Sequence, residues 1–175
     1  PEMAMKLGKA LAIHFEEKKQ RPRIVIGKDT RLSGYMLETA LTSGLVSMGC
    51  MVFLVGPIPT PAVSHLTRSL NADAGIVISA SHNHAHDNGI KIFDYQGYKL
   101  SDEDERQIEK LVFSESAEAS SPEKIGKAFR IDDAKGRYIE FAKASISNSS
   151  LEGLRVILDC ANGAAYKVAP EIFSE

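Results

Sequence analysis

The densest concentration of reactive side chains is Ser79-Ala80-Ser81-His82-Asn83-His84-Ala85-His86-Asp87-Asn88-Gly89, a stretch too polar for a core. A serine there serves as a nucleophile if neighbours manage its proton or leaving group. His82 and Asn83 can donate hydrogen bonds to phosphate oxygens. His82, His84 and His86 alternate, so in an extended segment they project to one side, where three imidazoles suit Zn²⁺ or another soft metal. A surface loop with idle histidines fits the same composition. A second polar stretch, Gly27-Lys28-Asp29-Thr30-Arg31-Leu32-Ser33-Gly34, offers Lys28, Arg31 and the free amides of a helix start to an anion. Read alone, it is equally a solvated loop with a capping serine. A third stretch, Gly56-Pro57-Ile58-Pro59-Thr60-Pro61, lacks amide donors at its prolines and reads as rigid scaffolding.

The elements around these stretches are strands and helices in alternation. Pro1 to Lys19 reads as an amphipathic helix, with Met3, Leu7, Leu11 and Phe15 at helical spacing. Ile24 to Ile26, Met51 to Val55, Ala74 to Ile78 and Gly89 to Phe93 read as strands. Between them, Ser33 is expected to cap a helix closed by Gly49, and Thr60 with Pro61 to start another that runs to about Leu70. Ser101 is expected to cap a charged helix through Phe113, Ser114 to Pro122 to form a surface loop, and Ala134 to Ser145 to form a helix. After a linker at Ile146 to Ser150, Leu154 to Leu158 reads as a fresh strand and Ala164 to Phe173 as a helix. This alternation predicts an α/β protein: a three-layer α/β/α sandwich with a mixed sheet over 1–147, then the start of a second, similar domain over 148–175. The three chemistry-bearing stretches follow strands, where ligands gather in open α/β sheets.

The chain has 175 residues, 43% hydrophobic and 25% charged, with a net charge of −2. These values fit a globular protein and provide no global field toward nucleic acid or an anionic membrane. No apolar run approaches the roughly 20 residues that span a bilayer. Cys50 and Cys160 lie outside any metal-ligand or redox spacing, which predicts free thiols and a cytoplasmic protein.

Taken together, the segments resemble the α-D-phosphohexomutases. Gly75-Ile76-Val77-Ile78-Ser79-Ala80-Ser81-His82-Asn83 with Asp87-Asn88-Gly89-Ile90-Lys91 is similar to that family's phosphoserine loop. Ile26 to Glu38 is similar to its arginine loop, Gly56 to Val63 to a further family segment, and Gly136 to Phe141 with Val156 to Ala164 to the junction with a second domain. The wording is nearest to the amino-sugar branch. The resemblance implies that Ser81, immediately before the histidine, carries the phosphate, with His82 and Asn83 as its loop neighbours. It further implies Arg31 as an active-site arginine near the phosphoryl group and Lys91 as a general acid/base. The implied reaction passes a phosphoryl group from serine to a hexosamine phosphate and back through a hexose bisphosphate, with Mg²⁺ bound to the Ser81 phosphate and to aspartates of a second domain. The family includes dimers, so a homodimer is among the implied assemblies. Other hexose specificities within the family, and a non-catalytic sugar-phosphate or metal-binding domain, are the alternative readings. This chain has His84 where the family usually has proline, which removes a restriction on Asn83. It also lacks the family's metal loop, sugar-specificity loop and C-terminal phosphate-binding domain, so the resemblance implies a fragment inactive alone.

Overall fold

A computed structural model describes residues 1–16, 20–114, 121–146 and 150–174. Its helices are α1 (Glu2–Glu16), α2 (Ser33–Ser47), α3 (Thr60–Ser69), α4 (Asp102–Phe113), α5 (Ala134–Ala144) and α6 (Val168–Ser174). Its strands are β1 (Arg23–Lys28), β2 (Met51–Pro57), β3 (Ala74–Ile78), β4 (Ile90–Asp94) and β5 (Lys127–Arg130). The strands form one sheet in the order β4-β3-β1-β2-β5. β3, β1, β2 and β5 run parallel, while β4 pairs with β3 antiparallel. The sheet is therefore mixed, as expected.

Side-chain alternation along the central strands builds two cores. Ile24, Ile26, Ile76 and Ile78 face one way and pack with Leu11 of α1, Leu41 and Leu45 of α2, and Ile108 of α4. Val25 and Val77 face the other way and pack with Val63 and Leu66 of α3 and Ala134 of α5. Burial on both faces explains why β1 and β3 read as unbroken apolar runs. Close approach needs glycine at two kinds of contact. A Cβ on Gly75 would lie 2.1 Å from Thr67 Oγ1, beneath α3. At the crossing of α1 and α2, a Cβ on Gly8 would lie 2.5 Å from the Leu41 carbonyl, and one on Gly44 would lie 2.3 Å from that of Met5.

Several local expectations are corrected. The buried stripe of α1 includes Ala4, Gly8, Leu11 and Phe15, and Met3 is exposed, because the helix sits against glycine-lined α2. Ser33 does not cap α2. The preceding residue, Leu32, is already helical, and the Ser33 hydroxyl instead donates to Asn88 Oδ1 at 2.5 Å. Thr60 does not cap α3 either; Pro59 takes that position without a side-chain bond, and Pro61 sits in the first turn. Ser101 does cap α4, accepting from the Asp104 amide at 3.1 Å. The strand expected at Leu154 to Leu158 does not form, because among the described residues no neighbouring strand offers it a ladder. β5 is not among the expected strands: its Lys-Ala-Phe-Arg sequence is mostly exposed, with half-buried Phe129 on Phe53, ring centroids 5.9 Å apart, and its backbone paired with β2. The domain boundary expected at 147/148 and residues 115–120 of the expected Ser114–Pro122 loop lie outside the described residues. Among the described residues no helix is long and apolar enough to cross a membrane.

Candidate active site

β1 and β3 are parallel neighbours at the centre of the sheet, so the segments leaving their carboxyl ends emerge side by side. The Asp29 amide donates to the Ile78 carbonyl at 3.0 Å, and the Ile58 amide to the Lys28 carbonyl at 3.0 Å. These two bonds tie together the three stretches singled out in the sequence. They line a cleft of about 1000 Å³ whose walls include Arg31, Pro59, Ser81, His82, Asn83 and Asn162.

The loop between β3 and β4 is closed at its base by the Ser79 amide, which donates to the Gly89 carbonyl at 2.8 Å. Gly89 is required there, since a Cβ would lie 2.7 Å from the Ser79 carbonyl oxygen. Ser81 sits at the exposed crest with φ +58°, in the left-handed region. A serine in that conformation costs on the order of 1–2 kcal/mol. Its amide donates to Ser79 Oγ at 3.1 Å, and its hydroxyl lies 3.1 Å from His82 Nδ1. The hydroxyl thus has an imidazole neighbour and open access to the cleft.

Arg31 reaches this loop through its backbone. One terminal nitrogen donates to the carbonyls of Ser81 at 3.3 Å and Asn83 at 2.9 Å; the other is ion-paired with Asp29. Arg31 Nε is buried and, among the described residues, has no hydrogen-bond partner, a cost on the order of 1–3 kcal/mol. Asn83 lines the cleft and is held through its backbone: its carbonyl accepts from Arg31, and its amide donates to the Ala80 carbonyl at 3.2 Å.

Two of the sequence candidates lie elsewhere. Lys28 is buried, ion-paired with Glu38 and 4.1 Å above the Tyr35 ring, and does not line the cleft: its charge anchors α2. Lys91 is exposed on β4, directly opposite Val77, which lines the cleft; Lys91 itself is not on the wall. The alternating histidines do not converge. The His84 and His86 rings stack with centroids 5.6 Å apart, and among the described residues no group of three or more His, Cys, Asp or Glu could hold a metal ion.

Two contributors went unassigned in the sequence. Asp29 orients Arg31, and an aspartate two residues before an arginine in a loop is a signal that could have found it. The turn at Cys160 to Ala165 forms the far wall of the cleft, and the Thr30 hydroxyl donates to the Asn162 carbonyl. Nothing local in the sequence announces that contact.

The family profile described as phosphoglucomutase/phosphomannomutase, alpha/beta/alpha domain I, matches residues 1–119. The chain belongs to the phosphoglucomutase/phosphomannomutase family. Within this family, the curated phosphoglucosamine mutases of Citrifermentans bemidjiense and Paracoccus denitrificans are 56% and 58% identical to it over 177 and 176 aligned residues. Each alignment covers 99% of this chain and 39% of the relative, so the chain spans about two fifths of their length. Among solved structures, a phosphoglucomutase/phosphomannomutase family protein from Burkholderia thailandensis superposes with a TM-score of 0.83 at 25% identity, over 98% of this chain and 37% of its own. A putative phosphomannomutase from Thermus thermophilus superposes with a TM-score of 0.71 at 32% identity, over 82% of this chain and 32% of its own. The α/β/α fold is the family's domain I.

Proposed function

We propose that this chain is the phosphoserine-bearing part of a phosphoglucosamine mutase, with its domain I over 1–147 and the start of a second domain over 148–175. The carrying observation is that relatives bearing that name are 55–58% identical across 99% of the chain. In this reading phospho-Ser81 gives its phosphoryl group to glucosamine 6-phosphate. The bond from phosphorus to Ser81 Oγ breaks as a bond to the sugar hydroxyl oxygen forms, the hydroxyl proton passes to a general base, the role assigned to Lys91, and the departing Ser81 oxygen takes up a proton to restore its hydroxyl. The bisphosphate reorients, and Ser81 takes back the other phosphoryl group to leave glucosamine 1-phosphate.

The geometry supports this assignment in three ways. Ser81 Oγ is exposed toward a cleft large enough for a sugar phosphate. His82 Nδ1 stands within hydrogen-bond reach of Oγ. The Arg31 guanidinium, ion-paired with Asp29, holds the backbone of the same loop.

Mg²⁺, the cofactor assigned by family resemblance, supplies charge neutralisation at the phosphoryl group when bound. The described residues do not complete a coordination sphere for it, and this chain's share is the phosphate that Ser81 would carry. The free cysteines support a reducing compartment, the cytoplasm.

The test uses the full-length protein. With Mg²⁺ and a hexose bisphosphate activator, glucosamine 6-phosphate should convert to glucosamine 1-phosphate, and intact mass should show one phosphoryl group. Ser81→Ala should remove both. Turnover that survives Ser81→Ala refutes the carrier role. A strong preference for glucose or mannose phosphates refutes the substrate assignment.

A further inference from the structure

We infer that Asp29 and Arg31 form a brace that holds the Ser81 loop in the conformation presenting its hydroxyl, making both positioning residues of the carrier site. The effect on turnover rests on the mutase reading; the effect on the loop does not.

Ser81 has φ +58°, which a serine does not hold unaided. Both flanking peptide groups are fixed. Its amide donates to Ser79 Oγ at 3.1 Å, and its carbonyl accepts from Arg31 at 3.3 Å. The same guanidinium nitrogen takes the Asn83 carbonyl at 2.9 Å, so one side chain grips the loop on both sides of His82. Asp29 fixes the guanidinium in turn. Its Oδ2 accepts from the other terminal nitrogen, and its Oδ1 accepts the Arg31 amide at 3.0 Å. The Asp29 amide donates to the Ile78 carbonyl, so the brace is grounded on the strand from which the Ser81 loop departs. Both side chains are largely buried, 13% exposed for Asp29 and 14% for Arg31. Among the described residues, the hydrogen bonds of Arg31 run to two carbonyls and Asp29, whereas the Ser81 hydroxyl is partnered by His82. This geometry requires a planar fork; a lysine carries the charge but cannot span three acceptors in fixed directions.

The test compares wild type, Arg31→Lys, Asp29→Asn and the double variant in the full-length protein. Amide hydrogen exchange at Ser81 and Asn83 should accelerate roughly 10-fold or more in each single variant and no further in the double, with β1 and β3 unchanged. In the same proteins kcat should fall by roughly 10²-fold with KM for glucosamine 6-phosphate nearly constant, and the double should be no worse than either single. Asp29→Glu, which keeps the charge but displaces the carboxylate, should behave like Asp29→Asn and serves if that variant is unstable. Unchanged loop exchange in Arg31→Lys and the Asp29 variants overturns the brace, as does multiplication of the two single effects in the double. Near-normal kcat in Arg31→Lys with a raised KM would assign Arg31 to direct phosphate binding and overturn it too. If wild type fails to turn over glucosamine phosphate, the mutase reading falls, and the exchange data still decide the brace.

Discussion

Lys91 and Val77 are directly paired across β4 and β3, so their side chains project from the same face of the sheet. Val77 lines the cleft, and Lys91 begins one strand further out. As the proposed general acid/base, Lys91→Met in the full-length enzyme should lower kcat by roughly 10²–10⁴-fold while Ser81 remains phosphorylated by intact mass. A change within twofold would remove Lys91 from the mechanism. Reactivity of the two thiols should differ sharply for an independent reason. Cys50 is fully buried, and burial pushes its thiol up to about 12, with Glu16 and Asp73 adding to the rise. Cys160 is partly exposed on the cleft wall. A disulfide reagent at mildly alkaline pH should therefore label Cys160 in the native protein and Cys50 only on unfolding, since the thiolate is the reactive form. Fast labelling of both would show that the β2 end of the core is open.

At the scale of elements, the position of α2 depends on a buried ion pair. Lys28 lies at the end of β1 and Glu38 in the second turn of α2, with side chains 4% and 12% exposed. The Tyr35 ring covers the ammonium. Removing one partner leaves the other charge buried, so Lys28→Met should destabilise by about 3–5 kcal/mol in urea unfolding. Lys28→Met with Glu38→Leu should recover much of that loss, because an apolar pair of similar volume replaces both charges. If the single variant loses activity with unchanged stability, Lys28 belongs to the phosphate site after all. Anchoring α2 also serves the loop opposite, because Ser33 in its first turn bonds Asn88 near the exit of the Ser81 loop.

For the whole molecule, the segment from 150 to 174 divides into parts with different support. α6 packs on α5, and the Cys160–Ala165 turn closes the cleft. Leu154 and Ile157 stand 65% and 96% exposed in a stretch with no ladder partner among the described residues. The amides of this stretch should exchange far faster than those of β3. Residues 1–175 alone should give no glucosamine 1-phosphate with Mg²⁺, activator and substrate. They span about two fifths of the length of the relatives named phosphoglucosamine mutase, and among the described residues no group of three or more His, Cys, Asp or Glu could hold a metal ion. Turnover on the order of 1 s⁻¹ from 1–175 would show that the chemistry needs less of the fold.

What the sequence by itself determined is what local pattern encodes. The apolar runs of β1 and β3, the Ser101 cap, Pro61 in the first turn of α3 and the polar stretch around Ser81 were all legible, because each is specified by residues within a few positions of one another. Resemblance added the family, which the match over residues 1–119 bears out. What only the tertiary structure decided depends on partners far apart in the chain. Lys28 reads as a free cation until Glu38 and Tyr35 close over it. The Leu154 to Leu158 run has strand propensity, but a strand exists only where a neighbour accepts its hydrogen bonds, and the unremarkable residues of β5 form one because β2 does. The grip of Arg31 on the Ser81 loop spans 50 residues of sequence, and it arises because parallel pairing of β1 and β3 delivers both loops to the same end of the sheet.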